Sequence, residues 1–238
     1  MTTACIEHPH ETLERIDELK QYFDIYPLSA NTERSFADDF RLQCTYASTQ
    51  LDGNSFSVNE IETVLDGMAV GGKTLKEHFE VMNHHQAMLW IERQVRQSKP
   101  LNENLMTTLY RILMQHIHDQ GKVLYRNEIG QPETDDIQKS LQALIDEHHQ
   151  SEEHPIIRAT ALHQAFYRLS PFPYYNACVA RLLLNFSLMS ASYPAIIIHE
   201  NQKDAYQSAL SDDEAMENLV MNNVMKSLSD KMFLAQGM

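Results

Sequence analysis

Cys178 and Arg181 stand at the start of an apolar, helix-like run, directly after the turn-forming stretch Ser170-Pro171-Phe172-Pro173-Tyr174-Tyr175-Asn176. A thiol at a helix N-terminus can have its pKa lowered and become reactive, whereas one in apolar surroundings is inert. Both readings of Cys178 stand at this point. Arg181, one turn further on, carries a fork of donors suited to carboxylate or phosphate. The 12 histidines include His84-His85, His116/His118 and His148-His149. Neighbours one or two apart point to different faces of a helix, and no His-Glu-x-x-His run occurs, so no metal site is expected.

The bulk properties narrow the partners. In 238 residues, 33 are acidic and 19 basic, a net charge of −14. A surface of that sign repels phosphate backbones and anionic lipid, so neither nucleic acid nor membrane is an expected partner. Three widely separated cysteines, Cys5, Cys44 and Cys178, suit a reducing compartment. The N-terminus lacks the basic flank and apolar core of a secretory signal, and no apolar run approaches the roughly 18 residues of a membrane span. A cytoplasmic protein is expected.

Apolar residues recur at three- and four-residue spacing through most of the chain, which predicts amphipathic helices. The first is expected from Glu11 to Phe23 and the second from Phe36 to Leu51, stopped by Gly53-Asn54. Ser57-Val58-Asn59-Glu60 and Thr74-Leu75-Lys76-Glu77 read as capping boxes, the second opening a long helix through Trp90 and Val95. Further helices are expected at Leu105–His118, capped by Asn102, at Leu141–His148, at Pro155–Leu169, at Ala177–Ser190 and in the tail from Asp212 to Leu234. Short strands are expected only around Val123–Ile129 and at Ile196-Ile197-Ile198. The tail, with Met216, Leu219, Val220, Val224 and Leu228 in register, would pack on the core or on another subunit.

Leu169–Arg181 resembles the signature of the Fic family, His-Pro-Phe-x-Asp/Glu-Gly-Asn-Gly-Arg-x-x-Arg. Ser48-Thr49-Gln50-Leu51-Asp52-Gly53-Asn54 resembles the family's inhibitory motif, Ser-x-x-x-Glu-Gly-Asn, and precedes it in the expected order. Gly71–His78, Glu80–His84, Leu162–Phe166, Leu182–Asn185 and Tyr193-Pro194 are similar to Fic proteins with an N-terminal inhibitory helix, so that the likeness runs from Phe36 to Leu210. It implies an all-α Fic-domain (Fido) core with a short β-hairpin flap at Val123–Ile129 and an additional C-terminal helix. The implied divisions are an N-terminal helical extension (1–35), an inhibitory-helix region with the first Fic helices (36–100), the Fic core with the signature loop (101–210) and the C-terminal helix (211–238).

Carried over position by position, the likeness puts Ser170 where the family keeps its catalytic histidine. A serine hydroxyl cannot accept a proton at neutral pH, and loss of general-base help costs on the order of 10²–10⁴ in rate. Tyr174 takes the place of the acidic residue that holds magnesium, and a neutral phenol is a poor ligand for a hard cation. Tyr175 and Ala177 replace the glycines around Asn176, where backbone amides would face phosphates, and Cys178 replaces the first arginine. Arg181 matches the second arginine, which in the family binds the γ-phosphate or pairs with the inhibitory acid. Ser48, Asp52 and Asn54 match the inhibitory motif, Asp52 being one methylene shorter than the usual glutamate, and the match implies an Asp52–Arg181 contact, direct or through a water, which reads equally as an ordinary helix–helix ion pair. His163 is implied to pack beneath the loop. The flap, with only residues 127–133 between Arg126 and the next helix, is short for docking a target by strand addition.

The expected function is therefore that of a pseudoenzyme, a binding or regulatory module without family-type AMPylation, needing no cofactor. The alternative is a residual nucleotidyl or phosphate transferase, autoinhibited by Asp52 on Arg181 and holding ATP and magnesium through Asn176 and Arg181. A nucleotide sensor without chemistry is a third possibility. The implied partner is a protein, either an active Fic protein or a second copy in a homodimer.

Overall fold

Ser29 accepts the Thr32 amide at 3.2 Å and so starts a helix that the apolar pattern alone places later, at Phe36. The computed structural model describes residues 9–118, 125–126 and 136–236. Among the described residues the α-helices are α1 (Pro9–Ile25), α2 (Ala30–Leu51), α3 (Val58–Leu65), α4 (Leu75–Arg96), α5 (Glu103–Leu113), α6 (Ile137–Gln150), α7 (Pro155–Leu169), α8 (Asn176–Ser190), α9 (Lys203–Ala209) and α10 (Asp213–Ala235). Both capping boxes form, with Ser57 and Glu60 closing α3 and Thr74 and Glu77 closing α4 reciprocally.

Two further helix ends differ from the expected ones by about a turn, each for a local reason, and one element was not expected. α5 stops at Leu113 rather than His118, the chain passing through a turn in which His116 takes φ 61°. α6 begins at Ile137 rather than Leu141, because Asp136 accepts the Lys139 amide. α9, preceded by a 3₁₀ turn at Glu200–Gln202, is an element the apolar pattern did not indicate.

No strand occurs among the described residues. The expected β-hairpin flap is not supported: Tyr125 and Arg126 are not in a strand, and the rest of that segment lies outside the described residues. Ile196-Ile197-Ile198 is neither strand nor helix. The Asn185 side chain instead takes both main-chain groups of Ile196, donating to its carbonyl at 3.0 Å and accepting its amide at 2.8 Å.

α8 is the central element. It is buried without interruption from Cys178 to Leu188, as expected of a helix apolar on all sides. Leu182, Leu183 and Phe186 join one core with α4, α5, α6 and α7, while Leu184 and Leu188 join a second with α1, α9 and α10. Met216, Val220, Val224 and Leu228 place α10 in that second core, so the tail packs on its own chain. Where α8 is polar it meets α2. The positions Cys44, Ser48 and Asp52, one turn apart on α2, face Cys178, Arg181 and Asn185 on α8.

Candidate functional site

The end of α2 sets the acidic side of the site. Gly53, at φ 94°, donates to the Gln50 carbonyl at 3.0 Å, and Asn54 reaches back to Thr49 at 3.0 Å, a Schellman closure that glycine makes without strain. This leaves Asp52 at the C-cap, where the helix dipole disfavours a carboxylate. Arg181 compensates. Its guanidinium donates to Asp52 Oδ2 at 2.7 Å, to the Ser48 carbonyl at 3.0 Å and to Ser48 Oγ at 2.9 Å, so the contact with Asp52 is direct and needs no water. Arg181 is 6% exposed. Burial opposes its charge, but the Asp52 carboxylate, together with Tyr206 and Cys178, more than offsets it and holds the guanidinium ionised.

His84 and His163 lie buried near this cation. His163 Nε2 pairs with the Tyr206 hydroxyl at 2.9 Å, and His84 Nδ1 pairs with Thr45 Oγ1 at 3.2 Å. Burial, helped by the Arg181 charge, pushes both imidazoles down to about 3, so they are neutral at physiological pH.

Phe172 anchors the loop between α7 and α8. It is 1% exposed and stacks on Tyr110 at 4.1 Å and on Tyr125 at 5.8 Å between ring centroids. Asn176 clamps the same residue, accepting its amide at 3.0 Å and donating to its carbonyl at 2.7 Å. Both ends of the Asn176 amide are therefore committed to the loop, and its structural part is bracing rather than presenting a donor to a ligand. Replacing Asn176 with Ala would leave two main-chain groups of Phe172 without these partners, and we expect a loss of about 1–3 kcal/mol, read by urea denaturation.

The other loop residues turn away from chemistry. The Ser170 hydroxyl donates to the Tyr167 carbonyl, as part of a left-handed helix cap at φ 44°. Tyr174 is half exposed and stacks on His118, with ring centroids 4.7 Å apart. Cys178 is buried, which pushes its thiol up to about 12, so the reactive-thiol reading gives way to a structural one. Tyr175 sits at φ 58°, a conformation that glycine takes freely and an aromatic residue rarely does. Its hydroxyl donates to Glu80, and burial, reinforced by this bond, raises the phenol pKa.

Glu80 joins the two motifs, a role that sequence reasoning missed. It accepts from Asn54 at 3.0 Å and from Tyr175, and it lies 3.4 Å from Lys76 Nζ. No local pattern announces this, because Asn54 and Tyr175 reach Glu80 from far along the chain. Asn54 also donates to the Glu77 carbonyl at 3.1 Å, tying the turn after α2 to the first turns of α4.

Thr49, Asp52, Glu80, His84, Leu113, Tyr175 and Cys178 enclose a void of about 10 Å³ beside the Asp52–Arg181 pair. This is at the limit for one water. Residues 170–181 contain no carboxylate to hold a hard cation. Among the described residues, no cluster of three or more His, Cys, Asp or Glu side chains could hold a metal ion. No helix among them is long and apolar enough to cross a membrane.

Residues 100–188, spanning α5 through most of α8 and the loop just described, match the Fic/DOC family model. The chain carries a Fic domain. Its likeness extends beyond those residues: the protein adenylyltransferase Fic of Drosophila ananassae is 25% identical over 204 residues, covering 82% of this chain and 41% of that protein. The protein of the same name from Drosophila virilis is 28% identical over 174 residues, covering 69% and 36%. The chain thus spans about two fifths of the length of these curated relatives. Among solved structures, a Fic domain containing signaling protein from Bacteroides thetaiotaomicron superposes with a TM-score of 0.83 at 22% identity, covering 95% of this chain and 97% of that one. Fic-1 from C. elegans gives 0.84 at 18% identity, covering 94% and 71%. At these identities the superpositions establish the fold, and the matched residues hold helices and no strand among those described.

Proposed function

We propose that this Fic domain is a pseudoenzyme, a binding or regulatory module that has lost AMP transfer by the Fic route. The carrying observation is the void of about 10 Å³ where Tyr175 meets Asp52 and Glu80, too small to admit a phosphate. Ser170 supports the reading, since its proton is spent on a backbone carbonyl and its oxygen is no base at neutral pH. Tyr174, Ala177 and Cys178 supply neither a cation ligand nor an accessible charge for phosphate. A protein partner is the reading that remains for such a fold, whether an active Fic protein or a second copy.

A second reading has its own support in the 2.7 Å Arg181–Asp52 pair and in relatives named adenylyltransferases. In it the chain is a nucleotidyl or phosphate transferase held off by Asp52. Calorimetric titration of ATP with Mg²⁺ separates the two. The pseudoenzyme reading expects no heat of binding at millimolar ATP in the wild type or in Asp52→Gly, because Tyr175 still closes the site. Binding that appears in Asp52→Gly would transfer the argument to the autoinhibited transferase.

A further inference from the structure

We propose that a second cleft, at the N-terminal end of α2, binds an amphipathic carboxylate, a single negative charge on an apolar body. The cleft holds about 650 Å³ between the C-terminal half of α1, the N-terminal half of α2, the end of α8 and α10. That is the size of a small-molecule site. None of the residues of the signature loop or the inhibitory turn lines it.

The distribution of charge selects the ligand. Lys20 and Lys231 project into the cleft, their side chains only 22% and 20% exposed, with Nζ 5.5 Å and 5.6 Å from the ring centroids of Tyr193 and Phe36. Lysines this covered are uncommon, and both ammonium groups lie against aromatic faces. Their carboxylate partners line the same cleft and are the more exposed member of each pair: Asp24, 3.2 Å from Lys20, is 59% exposed, and Glu33, 2.9 Å from Lys231, is 50% exposed. The other acid in the cleft, Glu92, is held by Arg41 through two bonds of 3.0 and 3.1 Å. The interior thus presents ammonium groups whose counter-ions can swing to water, and a carboxylate entering the cleft can take their place.

The apolar wall fixes the rest. Phe23, Phe40, Met189 and Leu228 leave room for an acyl chain or a flat ring rather than for a polyanion, which the net charge of −14 also repels.

The test uses decanoate as probe, titrated into the intact chain by calorimetry beside decanol and decyltrimethylammonium. We expect saturable one-site binding of decanoate, with decanol and the cation at least about tenfold weaker, since charge-assisted bonds carry much of the affinity. Lys20→Gln with Lys231→Gln should weaken decanoate about tenfold or more, and Ala37→Phe, which fills the cleft, should abolish binding. Melting of each unliganded variant reports whether it is folded, and if one fails to fold the other decides. The proposal is overturned if wild type shows no saturable binding, if the cation binds as tightly as decanoate, or if a folded variant retains wild-type affinity.

Discussion

Phe172→Ala is expected to destabilise the chain by about 3–5 kcal/mol, the range for truncating a fully buried aromatic residue. Phe172 is 1% exposed, stacked between Tyr110 and Tyr125, and within 6.1 Å of the Phe166 ring. No collapse of the loop can refill that space easily, because Asn176 holds the Phe172 backbone and Pro171 accepts the Arg126 amide at 3.0 Å. Urea denaturation gives the free energy, and Pro173→Ala, next to it but only half-buried, serves as the comparison with a small expected change. A loss under about 1 kcal/mol for Phe172→Ala would mean that the ring is not the anchor of the loop.

Stability should fall steeply on mild acidification, by about 4 kcal/mol between pH 7 and pH 5. Two imidazoles cause this. His84 and His163 are buried beside the Arg181 cation and bind a proton in the fold only near pH 3, whereas in the unfolded chain they bind one near 6.5. Between those values the unfolded state holds more protons, so stability rises with pH there. The contribution is complete above 6.5 and is lost as pH falls toward 3, at about 1.4 kcal/mol per unit for each group well inside the window. His148, pushed down to about 4 chiefly by burial, adds in the same direction. Glu77, lowered to about 2 by hydrogen bonds from Ser55 and Thr74, acts only at still lower pH. Urea midpoints measured across this range test the slope, and His163→Gln should reduce it. A flat profile from pH 7 to pH 5 would show that neither histidine is held neutral.

The two predictions concern different parts of one construction. The signature loop is braced from within by Phe172 and Asn176, and the space beside it is closed from outside by Asp52 on Arg181 and by Glu80 on Tyr175. Glu80 makes these closures interdependent, since Asn54, just past Asp52, and Tyr175 share its carboxylate. A change in the turn after α2 is therefore felt at the start of α8.

Much of this is legible in the sequence. The apolar spacing and the two capping boxes gave the helical class, and the motifs at Ser48–Asn54 and Leu169–Arg181 gave the family likeness, because such signals are local in the chain. The start of α2 was misplaced because Ser29 caps a first turn of polar residues that carry no apolar stripe. The strand at Ile196–Ile198 was misread for a related reason: three isoleucines announce an extended, buried segment, yet only the fold decides that Asn185 rather than a neighbouring strand satisfies it.

The sequence by itself determined which groups are available: no histidine at Ser170, no carboxylate at Tyr174, no glycine at Tyr175 and Ala177, and one arginine with one candidate acid. Tertiary structure alone decided what they do together. It put Asp52 within direct reach of Arg181, buried Cys178 out of reach of reaction, and turned the Asn176 side chain onto the loop instead of toward a ligand. It also brought Glu80 to Tyr175, leaving a void of only about 10 Å³ beside them. The physical reason is that residue type fixes acidity and hydrogen-bonding capacity, while distance and burial, which depend on segments more than a hundred residues apart coming together, fix which of those capacities is used.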